Sequence, residues 1–109
     1  MSIQSPSIVS EFDATVYLVL DDFGELGRAY VEAEEEHSDL KDVIESLLKG
    51  EYSNPLRVIA FNTAQGWSRD VSEDVANQVL DRALREQDEV PLATAHFIGR
   101  HLDLKRVVH

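Results

Sequence analysis

Asn62, Thr63, Gln65, Trp67, Ser68 and Arg69 stand together in "NTAQGWSRD", the stretch of this 109-residue chain best equipped for chemistry. Four amide and hydroxyl side chains, a guanidinium and the only tryptophan could surround a small molecule, and Gly66 would let it approach the backbone. An apolar run precedes the stretch and a helical pattern follows it, so free N–H groups at the helix start would favour an anion. Asp70, Glu73 and Asp74 oppose this, because a bound phosphate would meet three carboxylates within a turn. The first reading is therefore a joint: Trp67 closes the core edge, Gly66 turns the chain, and Asp70 with Glu73 forms a capping box. The second is a ligand or anion site.

Ser68 in "GWSRD" is a candidate nucleophile, but the elbow pattern needs a second glycine where Asp70 stands. The histidines, at 37, 96, 101 and 109, are all remote from Ser68 in sequence. "DDFG" at 21–24 matches a kinase tripeptide in a chain without the glycine-rich loop or catalytic-loop motif that would give it meaning. Asp21 and Asp22 could approach a divalent cation, yet neighbours on a strand point to opposite sides, and turn chemistry accounts for them better. In "EAEEEHSD" (32–39), His37 and Glu34 to Glu36 lack a second histidine at ligand spacing, so a solvated acidic face is the simpler reading. His96 and His101, five apart on an expected helix, diverge too far to share a metal. No catalytic residue, metal ligand or cofactor is assigned. The question of an enzyme stays open, leaning towards none.

Composition narrows the partners. Ten basic and 21 acidic residues give a net charge of −11, which repels nucleic-acid phosphates and anionic membrane surfaces. An acidic decoy for a basic partner is the sharper use of that charge; solubility is the plainer one. The absence of cysteine excludes disulfides and thiolate zinc sites and leans towards a reducing compartment. No apolar run is long enough to span a membrane, and the first residues lack the pattern of a secretory signal. The expected organisation is a lead-in over 1–12, one domain over 13–103 and a tail over 104–109.

The elements that must position these residues follow from periodicity. "ATVYLVLDDF" is apolar on both faces, as a central strand would be, with Val16, Leu18 and Leu20 opposite Tyr17 and Val19. "GELG" supplies a turn, and "RAYVEAEEE" alternates as an edge strand, closing a hairpin. Leu40, Val43, Ile44, Leu47 and Leu48 make one helical stripe, with Ser38 as its cap and Gly50 as its stop. Asn54-Pro55 leads into a third strand, "LRVIAF". Val71, Val75, Ala76, Val79, Leu80 and Ala83 mark a long helix to about Gln87. Pro91 opens a last helix to about Leu102, with Leu92, Ala95, Ile98 and Leu102 expected inward.

The resulting order is ββαβαα, an α+β domain with a three-stranded antiparallel sheet, order 2-1-3, and helices packed against it. One sheet face, expected to carry Tyr17, Val19 and Tyr30, with Ile59 and Phe61 if register allows, is too apolar to leave in water. That face is the expected interaction surface, for a protein partner or a second copy in a homodimer. "YSNPLRVIAFNTAQGWSRDVSEDVA", with "VYLVLDDFGELGRAY" before it, resembles a group of short bacterial proteins of uncharacterised function, over about residues 14–102. The resemblance implies a bacterial, cytoplasmic setting and a complete protein, and brings no activity or site residue. The expected function is a non-enzymatic interaction or regulatory module. The alternatives are a small-molecule or anion binder, or enzyme, using residues 62–70, and the acidic decoy.

Overall fold

The computed structural model describes residues 15–32 and 40–102. The expected Ser38 cap, most of the His37 cluster, the lead-in and the tail lie outside them. Strand β1 (Thr15–Asp22) passes through a short 3-10 turn at Gly24–Leu26 into β2 (Arg28–Glu32). Helix α1 (Leu40–Lys49), strands β3 (Pro55–Asn62) and β4 (Trp67–Asp70), and helices α2 (Ser72–Glu86) and α3 (Leu92–Leu102) follow. The fold is α+β, and the four strands form one antiparallel sheet in the order β2-β1-β3-β4.

The 2-1-3 core of that sheet matches expectation; β4 does not. Trp67–Asp70 pairs with Ile59–Asn62 as a hairpin strand where the sequence reading has a loop. Only four residues pair, and only Trp67 among them is apolar, so no alternation of apolar and polar residues marks the strand. The hairpin turn is enforced locally. Asn62 Oδ1 accepts from Gln65 N at 2.8 Å, Gly66 N donates to Asn62 O at 2.8 Å, and Gly66 adopts φ +73°, which an L side chain resists.

Alternation of side chains assigns each sheet residue to a face, since residues opposite each other in register share one. Val19 stands opposite Val31 and Val58, and Tyr17 opposite Ala60. Val19, Val58 and Ala60 are buried beneath the helices with Val43, Leu47, Val75, Val79 and Phe97. Tyr17, Val31 and Trp67 pack partly buried against that cluster. Tyr17 and Val19 therefore belong to the covered face, a correction to the expectation that set them on the spare one. Polar residues close this face at both ends. Asp21, 2% exposed, accepts from Ser53 N at 2.9 Å and Asn54 N at 2.7 Å, and Asn62 is also buried.

Helix ends follow expectation in part. Gly50 N donates to Leu47 O and Glu51 N to Ser46 O, a Schellman stop on α1 with Gly50 at φ +72°. A Cβ on Gly50 would also come within 3.1 Å of the Pro91 ring, a tight contact added to the strain of the positive φ. The capping box is not formed. Val71 occupies the N-cap of α2, Asp70 Oδ1 accepts from Ser72 N at 2.9 Å, and the Ser72 hydroxyl accepts from Val58 N at 2.8 Å. In α3 the buried residues are Thr94, Phe97 and Ile98, with His101 and Leu102 half-buried, whereas Leu92 and Ala95 are exposed. The inward stripe contains two polar residues, which hid its phase. Thr94 Oγ1 donates to Leu47 O at 2.6 Å, and His101 Nε2 bonds Leu56 O at 2.7 Å.

Candidate functional site

The β3–β4 hairpin does bring Asn62, Thr63, Trp67 and Ser68 together, with Phe61 and Gly66, around a shallow concavity of about 280 Å³. Gln65 and Arg69 do not line it. Much of the polarity counted on for a ligand is used within the hairpin and against β1. Asn62 holds the turn, its Nδ2 reaches Thr15 Oγ1 at 3.4 Å, and Trp67 Nε1 donates to Gln65 Oε1 at 3.0 Å. The Arg69 guanidinium lies 5.5 Å from the Trp67 ring centroid, a cation–π contact. Ser68 is exposed, and neither His96 nor His101 lines the concavity beside it.

The two strand aspartates part company as expected. Asp21 turns inward, whereas Asp22 Oδ1 accepts from Gly24 N at 2.9 Å and Oδ2 lies 3.7 Å from Arg28 Nε. Among the described residues, no group of three or more histidines and carboxylates could hold a metal ion. No described helix is long and apolar enough to cross a membrane. A concavity of about 610 Å³ runs between α1 and α2, lined by Leu40, Ile44, Asn77 and Arg82 among others. Arg82 bridges its walls, 3.5 Å from Glu45 and 3.3 Å from Glu86. That cation is already spoken for.

The more unusual feature is the sheet's second face. Val16 stands opposite Phe61, Leu18 opposite Ile59, and Leu20 opposite Tyr30 and Arg57. Val16, Leu18, Leu20, Ile59 and Phe61 are absent from the core and from the apolar residues packed against it. All five are half-buried, and Tyr30 is 54% exposed at the β2 edge. Ile59 and Phe61 thus take the open face that register had left undecided, and of the three expected interaction residues only Tyr30 shares it.

Ion pairs border this face. Arg57 Nη1 meets Asp70 Oδ2 at 2.7 Å across β3 and β4, and the Arg28–Asp22 pair closes the other side. Partial burial raises the affinity of the Asp70 carboxyl for its proton, but the Ser72 hydroxyl and amide and the Arg57 guanidinium outweigh it and hold the group below the ordinary aspartate range. The face was detectable in the sequence as a strand apolar on both sides. Which side would lie open was not, because Leu18 and Val19 are equally apolar.

No family model, no curated protein and no solved structure matches this chain.

Proposed function

We propose that the protein is a non-enzymatic interaction module whose open sheet face packs against the same face of a second copy. One observation carries the reading: Val16, Leu18, Leu20, Ile59 and Phe61, with Tyr30 beside them, form a continuous apolar surface outside the core. Single exposed apolar residues are ordinary, but a contiguous patch on a sheet is a surface awaiting a partner.

Charge selects a second copy. The described border of the face sets Arg28 and Arg57 against Asp22 and Asp70, four charges that sum to zero. The whole chain carries −11. Two copies can therefore meet on this face at far less electrostatic cost than elsewhere, and a two-fold axis presents each arginine–aspartate pair to its counterpart. Strands about 4.8 Å apart rising about 3.3 Å per residue give a face on the order of 400 Å². A standard interface takes roughly 800 Å² from each partner, so the charged border belongs to the contact as well.

Light scattering over a dilution series tests this. A 12.3 kDa chain gives 24.6 kDa for two copies. The expected result is that mass, strengthening with added salt as repulsion between two acidic chains is screened. Leu18→Lys should return a folded monomer. A strict monomer at all concentrations, or an association that Leu18→Lys leaves untouched, would overturn the reading.

A further inference from the structure

At one end of the open face, where β1 and β3 lose regular register between Leu20 and Asp21, a cavity of about 400 Å³ opens. Its lining is Leu20, Arg28, Leu56, Arg57, Arg100 and His101. Three of the chain's seven arginines thus share one cavity with a histidine, in a protein with twice as many acidic as basic residues. Among the described residues, no carboxylate lines it. From this convergence we propose a binding site for a small organic anion, a phosphate or carboxylate group borne on an apolar body.

Four elements assemble the cluster from distant parts of the chain, Arg28 from β2, Leu20 from β1, Leu56 and Arg57 from β3, and Arg100 and His101 from α3. The start of β3 positions the α3 pair, with Arg100 Nη1 donating to Pro55 O at 3.2 Å and His101 Nε2 meeting Leu56 O at 2.7 Å. The His101 ring is also held against Phe97, centroids 4.8 Å apart. Among the described residues, most of the Arg100 guanidinium's five N–H donors have no acceptor, and Arg100 has no carboxylate partner. Arg28 and Arg57 each keep a carboxylate, Asp22 at 3.7 Å and Asp70 at 2.7 Å. Both aspartates lie outside the lining, so they orient the two guanidinium groups without filling the cavity. Buried Asp21 is occupied by the Ser53 and Asn54 amides.

Planar guanidinium forks suit oxyanions, because two parallel N–H donors match two oxygens of a carboxylate or phosphate. Leu20 and Leu56 supply apolar wall beside those donors, so the anion they select carries a hydrophobic group. The cavity shares Leu20, Arg28 and Arg57 with the face proposed to pair, so a bound anion and a second copy compete there, and the titration is carried out at dilutions where light scattering gives the mass of one chain.

The test is titration of the full chain with phenyl phosphate, benzoate and inorganic phosphate, followed by calorimetry and by the arginine Nε–H resonances. Phenyl phosphate or benzoate should bind and shift the signals of Arg57 and Arg100, and the comparison of the two tells phosphate from carboxylate. Arg100→Gln should weaken binding about fivefold or more, as loss of an unpaired charged donor does. Arg85→Gln, on the exposed side of α2, should leave it unchanged. Silence from both organic anions at millimolar concentration would overturn the proposal. So would equal losses in the two variants, which would signify diffuse attraction alone, or inorganic phosphate binding as well as phenyl phosphate, which would remove the apolar wall from the argument.

Discussion

The sheet has two apolar faces, and they differ in a way that composition alone would not suggest. The covered face fully buries small or branched residues, Val19, Val58 and Ala60, keeps the larger Tyr17 and Trp67 only partly buried, and seals its ends with Asp21 and Asn62. The open face presents the bulkier set, Leu18, Leu20, Ile59 and Phe61. The small side chains let three helices approach closely over the middle of that face. The lesson is that burial here follows fit to the helices rather than hydrophobicity. The open face is the one proposed to meet a second copy.

The sharpest way to break this comparison is to place a charge on each face in turn. Val19→Lys should cost several kcal/mol, enough to abolish cooperative folding, because the ammonium would sit unpaired where Val19 has no exposure at all. Leu18→Lys, one residue away, should change the stability of the monomer by no more than about 1 kcal/mol when both chains are compared at dilutions below association, since its ammonium reaches water. Urea unfolding followed by circular dichroism reads both. Equal losses would mean the open face is packed in the folded monomer.

The paired aspartates sharpen the contrast at the strand end. Asp21→Ala should cost about 1–3 kcal/mol, because the Ser53 and Asn54 amides lose their acceptor in a part-buried setting. Asp22→Ala should cost under about 1 kcal/mol, its partners being a turn amide and an exposed arginine. Parallel denaturation curves decide it.

The smallest effect concerns Asp70. Its folded carboxyl ionises below the ordinary 3.8, so its stabilising contribution is complete above that value and fades as acidification carries the pH below it, through the folded pKa. Solvent screening at this exposed pair keeps the amplitude small. Asp70→Asn should flatten that acid limb of the stability profile and leave the neutral region nearly unchanged. An acid limb identical in the two proteins would remove Asp70 from the account.

Much of the architecture was legible because periodicity is written by the chain itself. The α1 and α2 stripes and the central place of β1 needed no tertiary information. Three things escaped for physical reasons. β4 is too short and polar to show alternation. The inward stripe of α3 runs through Thr94 and His101, whose polar groups are satisfied only by Leu47 and Leu56 carbonyls from elsewhere in the fold. The arginine-lined cavity draws on Arg28, Arg57 and Arg100, separated by dozens of residues, and no local pattern joins them. Of the six hairpin residues nominated as a site, four do gather at one concavity. Their mutual bonds could not be foreseen without the β4 pairing that creates them.

The Leu47 carbonyl has a further consequence. It accepts both from Gly50 N, at the end of α1, and from Thr94 Oγ1, in α3. Two helices distant in sequence thus share one acceptor, and neither can fray there without disturbing the other. In amide hydrogen exchange, the last turn of α1 and the first turns of α3 should open as one unit, with matched protection and a common dependence on denaturant.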